Sequence, residues 1–282
     1  MKILNHKLTY GPKINGNNYK IFFLGDVHLG NIAVDRAALK NDIAEIAAWG
    51  PERAGIILMG DLGDYISPFG DRRFDQTNVD PEIIDLHSAT STAMQTVSHL
   101  VELFEPVGEQ VLAILGGNHG LQNKADGEYT RWEQRFAEDM GLDHLFCGYS
   151  AFVRLQFEAE RSGNFRTILC HVHHGWQGGR TKGAKVNQLA KDVGKYPGCD
   201  FVVRGHDHDL WATPYYPVSL NQRGTDIVKR KVITGHSGTY LEGMVVGAET
   251  YTERADYPLS AVGCLKTWIR FTDKGYELFA GV

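Results

Sequence analysis

Six short apolar runs punctuate the chain, each ending in glycine or a polar cluster: Tyr19 to Leu24, Gly55 to Met59, Gln110 to Leu115, Arg166 to Cys170, Asp200 to Val203 and Lys231 to Thr234. Runs of this length, rich in β-branched and aliphatic residues, predict buried strands that feed loops. Between the first two, Ala37, Ile43 and Ala47 fall at helical spacing, which predicts an amphipathic helix over Val34 to Trp49. Ile83 to Phe104 reads as a longer helix and Ala184 to Val193 as a shorter one. Thr130 and Glu133 have the spacing of a capping box, and Gly141 supplies a stop, so a further helix is expected over Trp132 to Met140.

Strands alternating with helices make the class α/β, with a sheet that turns partly antiparallel toward the C-terminus, where strand candidates lie close together. No repeat, low-complexity tract or linker breaks the chain. The expectation is therefore one domain over residues 1–282, its motif-bearing part at 19–210 and its C-terminal strands and tail at 211–282. Two stretches stand apart, Ile66 to Pro81, rich in Asp and Arg, and Trp211 to Thr225, rich in Pro, Tyr and Asn. Loops this long are often functional.

Composition changes this picture little: 43% hydrophobic and 22% charged residues are ordinary for a folded soluble protein. The net charge of −5 argues against a broad basic surface built to coat nucleic acid. It leaves a nucleic-acid substrate open, because bound divalent cations dominate the local field where a phosphate would sit. Met1 to Tyr10 holds no apolar run long enough for a signal peptide or anchor, so a cytoplasmic protein with no membrane partner is expected. Cys147, Cys170, Cys199 and Cys264 are widely spaced with no Cys-x-x-Cys pair, which reads as buried, reduced thiols.

The chemistry sits where the strands end. Five of them run straight into polar clusters: Asp26-Val-His28, Gly60-Asp61-Leu-Gly-Asp64, Gly117-Asn118-His119, His171-Val-His-His174-Gly175 and Gly205-His206-Asp-His208. Ligands of open α/β sheets bind beyond the carboxyl ends of the strands, so these clusters should converge. Any one of the residues alone would be an ordinary turn or cap; capping does not call for the histidines that accompany them. Carboxylate, amide and imidazole without thiolate suit Mn, Fe, Zn or Ni. Seven ligands with one shared carboxylate fit two divalent ions about 3.5–4 Å apart, Mn first among them.

The ordered set D-x-H, G-D-x-x-D, G-N-H, H and G-H-x-H, spread over Leu24 to His208, resembles the calcineurin-like metallophosphoesterase superfamily. The resemblance implies a four-layer αββα sandwich with two mixed β-sheets flanked by helices. In it Asp26, His28 and His208 would hold one metal, Asn118, His174 and His206 the other, with Asp61 between them. It further implies a hydroxide nucleophile between the ions, His119 as proton donor to the leaving oxygen, and Asp64 orienting a ligand from behind. His174 is chosen because it precedes Gly175 as the equivalent ligand often does; His173 is the substitute, and His171 is expected to pack within the strand.

Departures narrow the group. Gly120 stands where many members carry Asp or Glu after G-N-H, so whatever orients His119 must come from elsewhere. Tyr65 and Asp64 stand where Ser/Thr protein phosphatases and purple acid phosphatases have their own signatures, which argues against both. The glycine-rich segment from Gly175 to Lys185 offers Arg180 and Lys182 for the non-reacting part of the substrate, with Arg204, Arg72 and Arg73 as further candidates. The leading reading is hydrolysis of a phosphate ester, a diester favoured over a monoester. A DNA or RNA nuclease, with Trp176, Trp211, Tyr215 and Tyr216 available for stacking, is the rival within the class. A silent binding scaffold is the rival outside it.

Overall fold

In chain order the elements are β1 (Lys2–Tyr10), β2 (Asn18–Leu24), α1 (Arg36–Trp49), β3 (Ala54–Leu58), α2 (Thr92–Phe104), β4 (Val111–Ile114), β5 (Leu121–Asn123), β6 (Tyr129–Arg131) and α3 (Trp132–Asp139). There follow β7 (Ser150–Ala159), β8 (Phe165–His173), α4 (Lys182–Lys195), β9 (Phe201–Arg204), β10 (Leu210–Tyr215), β11 (Val218–Leu220), β12 (Ile227–Lys229), β13 (Val232–Thr239), α5 (Tyr251–Arg254), β14 (Gly263–Thr272) and β15 (Gly275–Gly281). These come from a computed structural model that describes residues 1–68, 71, 74–123, 129–176, 181–221, 223–246, 250–254 and 259–281.

Each of the six apolar runs lies in or overlaps a strand, and the class is mixed α/β. The helix expected from Ile83 begins only at Thr92: Ser91 caps it through the Met94 N–H, and the Gln95 side chain closes the preceding turn on Asp85 and Thr90. The capping-box reading of α3 also gives way. Its N-cap is Arg131, with no side-chain cap bond, and Glu133 is buried.

Among the described residues eleven strands form one hydrogen-bonded sheet, nine along the path β1-β7-β8-β9-β13-β14-β2-β3-β4, with β10 on β13 and β15 on β14. This differs from two separate sheets. The seam between β13 and β14 is only two residue pairs, Gly238↔Cys264 and Thr239↔Gly263. Gly238 permits it, for at φ 88° a Cβ there would meet the Gly263 carbonyl oxygen at 2.2 Å. Beyond the seam, side chains of the two halves touch without backbone pairing: Phe23 of β2 meets Phe201 of β9 at 6.0 Å between ring centroids, and Tyr19 meets Phe157 of β7 at 5.1 Å. Burying these rings together is a large hydrophobic contribution to the core.

Direction along the path matters most for function. β8, β9 and β13 are mutually parallel, β14 opposes both β13 and β2, and β2, β3 and β4 are again parallel. The carboxyl ends of the five motif-bearing strands therefore open on one side. α1 buries Leu39, Ile43 and Ile46, and α4 buries Leu189. All four cysteines are free and buried. Among the described residues no helix is long and apolar enough to cross a membrane.

Candidate metal centre

The loops leaving β2 and β3 stay paired after the strands end, with Asp26 N–H donating to Gly60 O, His28 N–H to Asp61 O and Leu29 N–H to Leu62 O, each at 3.0 Å. Running side by side forces their ligands inward. Asp26, His28, Asp61, His206 and His208 all sit in left-handed backbone, at φ 49°, 52°, 47°, 72° and 52°. For non-glycine residues that conformation costs about 1–2 kcal/mol each, and such strain collects at functional sites.

The seven expected ligands and His119 come together. Atoms of Asp26, His28 and His208 lie within 4.8 Å of one another, as do those of Asp61, His174 and His206, and those of His28, Asp64 and His119. Asn118 joins the second group, its Oδ1 lying 3.1 Å from His174 Nε2. Asp61 spans the centre, with Oδ1 accepting the His119 N–H at 2.8 Å and Oδ2 lying 3.2 Å from His174 Nε2. His174 Nδ1 donates to Met59 O at 2.8 Å, which turns Nε2 toward Asp61 and Asn118. His173, the substitute, instead accepts the Gly175 N–H on Nδ1 at 2.7 Å, and His171 stacks on Tyr196 with centroids 3.5 Å apart.

Three features of this arrangement fit cations. Asp26 is wholly buried, and its Oδ1 has no hydrogen-bond partner while Oδ2 accepts the His206 N–H at 2.8 Å. A bare buried carboxylate oxygen is costly without a partner. His28 Nε2 and His208 Nε2 face each other at 3.1 Å; two nitrogens each about 2.0–2.1 Å from one ion lie at about this separation. Asp64 stands behind, with Oδ1 2.9 Å from His119 Nδ1 and 3.4 Å from His28 Nδ1. That is how an outer carboxylate fixes an imidazole's tautomer and ring angle, and it supplies the orienting group that Gly120 lacks.

Electrostatics follow from burial. Burial pushes the Asp26 carboxyl up to about 7, with Asp61 adding to the rise and His174 opposing it. Burial alone would lower His174, but Asp61, by charge and hydrogen bond, outweighs it and raises the imidazole to about 10. Burial would likewise raise Asp61, yet His174 holds it well below the carboxylate range. Asp64 is held low against its own burial by hydrogen bonds from His119 and His28. Burial and the His174 cation push His206 down to about 4, and burial with His28 lowers His208, so both are neutral, the form that binds metal.

A pH dependence follows. Metal binding needs His174 and Asp26 unprotonated, and in the metal-free protein these hold protons up to about pH 10 and about pH 7. Above pH 7 one proton, from His174, is displaced, so Mn²⁺ affinity should rise about tenfold per pH unit; below it Asp26 joins and the dependence steepens. Calorimetric titration in buffers of differing ionisation enthalpy counts the protons, and release of none would contradict this ligand set.

The remaining candidates are placed as follows. Lys182 and Lys185 line a cleft of about 1320 Å³ over the centre, together with His119 and with Ile66, Phe74 and Val79 from the long polar excursion. Lys185 is paired with Asp209 at 2.7 Å. Arg204 does not line the cleft; it pairs with Asp192 of α4. Arg180, Arg72 and Arg73 lie outside the described residues. Trp176, Trp211, Tyr215 and Tyr216 are likewise not among the cleft's lining residues.

No family model matches the chain, and no curated relative does. Solved structures that align with it include Vps29 from Cryptosporidium parvum, 12% identical, covering 94% of this chain and 97% of that one at a TM-score of 0.35. Others are Vps29 complexed with Zn²⁺ from Entamoeba histolytica (10%, 93% and 98%, TM-score 0.37) and a predicted phosphoesterase from Streptococcus pneumoniae (10%, 94% and 98%, TM-score 0.31). Overlap this loose carries no argument, and the functional reading stands on the site itself.

Sequence reasoning passed over three contributors. Thr239 Oγ1 and Tyr240 N–H donate to Asp26 O at 2.8 and 3.1 Å, anchoring the first ligand loop from the end of β13; nothing in the local pattern marks them. Glu133 was assigned to a cap, yet it shares the buried face of α3 with Phe136 and Ala137. A glutamate at i with apolar residues at i+3 and i+4 was the available signal.

Proposed function

We propose that the protein is a dinuclear metal-dependent phosphoesterase that favours diesters over monoesters. The observation that carries this is the pair of ligand groups, Asp26-His28-His208 and Asp61-His174-His206 with Asn118, of which His28, Asp61, Asn118, His206 and His208 line the cleft. Two divalent ions held there, Mn²⁺ foremost with Fe, Zn or Ni as alternatives, would neutralise phosphate charge and lower the pKa of a water. The chain's own groups do the rest. Asp61 and Asp26 fix the ligand loops, and Asp64 holds His119 through Nδ1, which leaves Nε2 as the nitrogen that would protonate the leaving oxygen.

Cleft size favours the diester. At about 1320 Å³ it exceeds the roughly 300–1,000 Å³ usual for a drug-sized ligand, and its lining extends well beyond the ligands. A bare monoester would leave most of it to water. The stacking residues considered for single-stranded nucleic acid lie outside it, so a small phosphodiester or nucleotide is the better fit than a nuclease substrate. The same reading includes the four-layer sandwich, supported by the ring contacts between the two halves of the sheet.

The test compares wild type with His208→Ala on bis-aryl and aryl phosphates in Mn²⁺, with metal content measured in parallel. The expected result is near two metals per chain and diester turnover that is lost in the variant. Full turnover in His208→Ala would overturn the reading, and bound metal with no turnover of either ester would favour the scaffold.

A further inference from the structure

The turn that carries Asn118 and His119 ends at Gly120, and a carboxyl group from another element fills the space beside it. A Cβ placed on Gly120 would lie 1.6 Å from Glu133 Oε2, 2.2 Å from Cδ and 2.4 Å from Oε1. Gly120 is not among the left-handed glycines, so its missing side chain answers to space and not to backbone conformation. Glu133 is 1% exposed, on the same face of α3 as Phe136 and Ala137. A carboxyl in such surroundings is costly unless it holds something.

The carboxyl packs against the turn at Gly120, and its Oε1 has no hydrogen-bond partner. One residue earlier, Trp132 N–H donates to Gly120 O at 2.9 Å, and the Trp132 ring stacks on Tyr65, the residue after Asp64, with centroids 6.3 Å apart. The start of α3 thus grips Gly117-Asn118-His119-Gly120 at its Gly120 end, through the Trp132 hydrogen bond and the Glu133 carboxyl, and packs on the neighbour of the group that orients His119. A glutamate serving only the helix dipole would sit in solvent.

We propose that Glu133 is a positioning residue, whose carboxyl enters the space of an absent side chain at position 120 and holds Asn118 and His119 in register with Asp61 and Asp64. Its consequence for catalysis rests on the phosphoesterase reading; its effect on the turn does not.

The test uses the full chain with Glu133→Ala, Glu133→Gln and the double variant Glu133→Ala/Gly120→Asp, which returns a carboxyl to the vacated space from the other side. Amide hydrogen exchange in the metal-free protein is the first readout. Glu133→Ala should speed exchange at residues 117–120 at least tenfold, leaving β3 and β4 protected, while Glu133→Gln, which keeps the shape and an acceptor, and the double variant should restore protection. With Mn²⁺ and the bis-aryl phosphate, Glu133→Ala should lower kcat by about 10–100-fold, the usual effect of losing an outer-shell partner, and leave KM nearly unchanged. Unaltered exchange in Glu133→Ala, or loss of protection throughout β4 with no rescue by Gly120→Asp, would overturn the proposal. A wild type that turns over nothing would instead refute the phosphoesterase reading, and the exchange pattern would still decide the role of Glu133.

Discussion

Asp61→Asn is expected to remove diester hydrolysis by more than the roughly 10–100-fold seen on losing an outer-shell partner, and to lower metal content below that of wild type. The two oxygens of Asp61 have separate duties, Oδ1 on the His119 N–H and Oδ2 toward His174. Asparagine matches the shape but offers one oxygen and no charge, so one duty fails whichever way the amide turns. His174 supplies an independent readout. Its rise to about 10 depends on the Asp61 charge opposing burial, so in the metal-free variant the ring should titrate far lower by NMR. Wild-type turnover with normal metal content would show that Asp61 does not join the two groups.

Gly117→Ala should be nearly as damaging while changing no ligand. A Cβ at position 117 would fall 1.9 Å from Asp61 Oδ1 and 2.4 Å from the Asp61 backbone nitrogen. The second contact is with main chain, which cannot swing aside. Overpacking of this kind costs about 1–3 kcal/mol, and here the displacement goes directly into the central carboxylate. The neighbouring Gly116→Ala is the control, because its Cβ would meet nothing nearer than the Phe146 ring at 3.5 Å. Thermal melts with metal analysis on both variants should show a lowered Tm and lost metal for the first and little change for the second. Equal behaviour would mean that the turn yields more easily than its packing indicates.

The site was more legible than the fold around it. Ligands at strand ends announce themselves because a strand is apolar until it stops, so Asp26, Asp61, Asn118, His174 and His206 each stand at a change of composition. Strands without such a boundary escape notice: β7 alternates polar with apolar residues, β1 buries only Leu4, and β11 and β12 are exposed along their length. Tertiary packing decided the rest. Nothing local marks Arg204 as the partner of Asp192. The role of Glu133 became visible only when α3 was laid against Gly120.

The left-handed residues at Asp26, His28, Asp61, His206 and His208 have a consequence for how this protein would respond to selection. A lineage or laboratory library screened for heat resistance alone would find gains at His206 and His208, where glycine relieves a conformation that histidine tolerates poorly and leaves the Asp61 and Asp26 hydrogen bonds in place. On the phosphoesterase reading, such gains would erode the candidate ligands first, and survivors would be sturdier and inert. Improving this chain without disarming it means holding these two codons fixed and searching elsewhere.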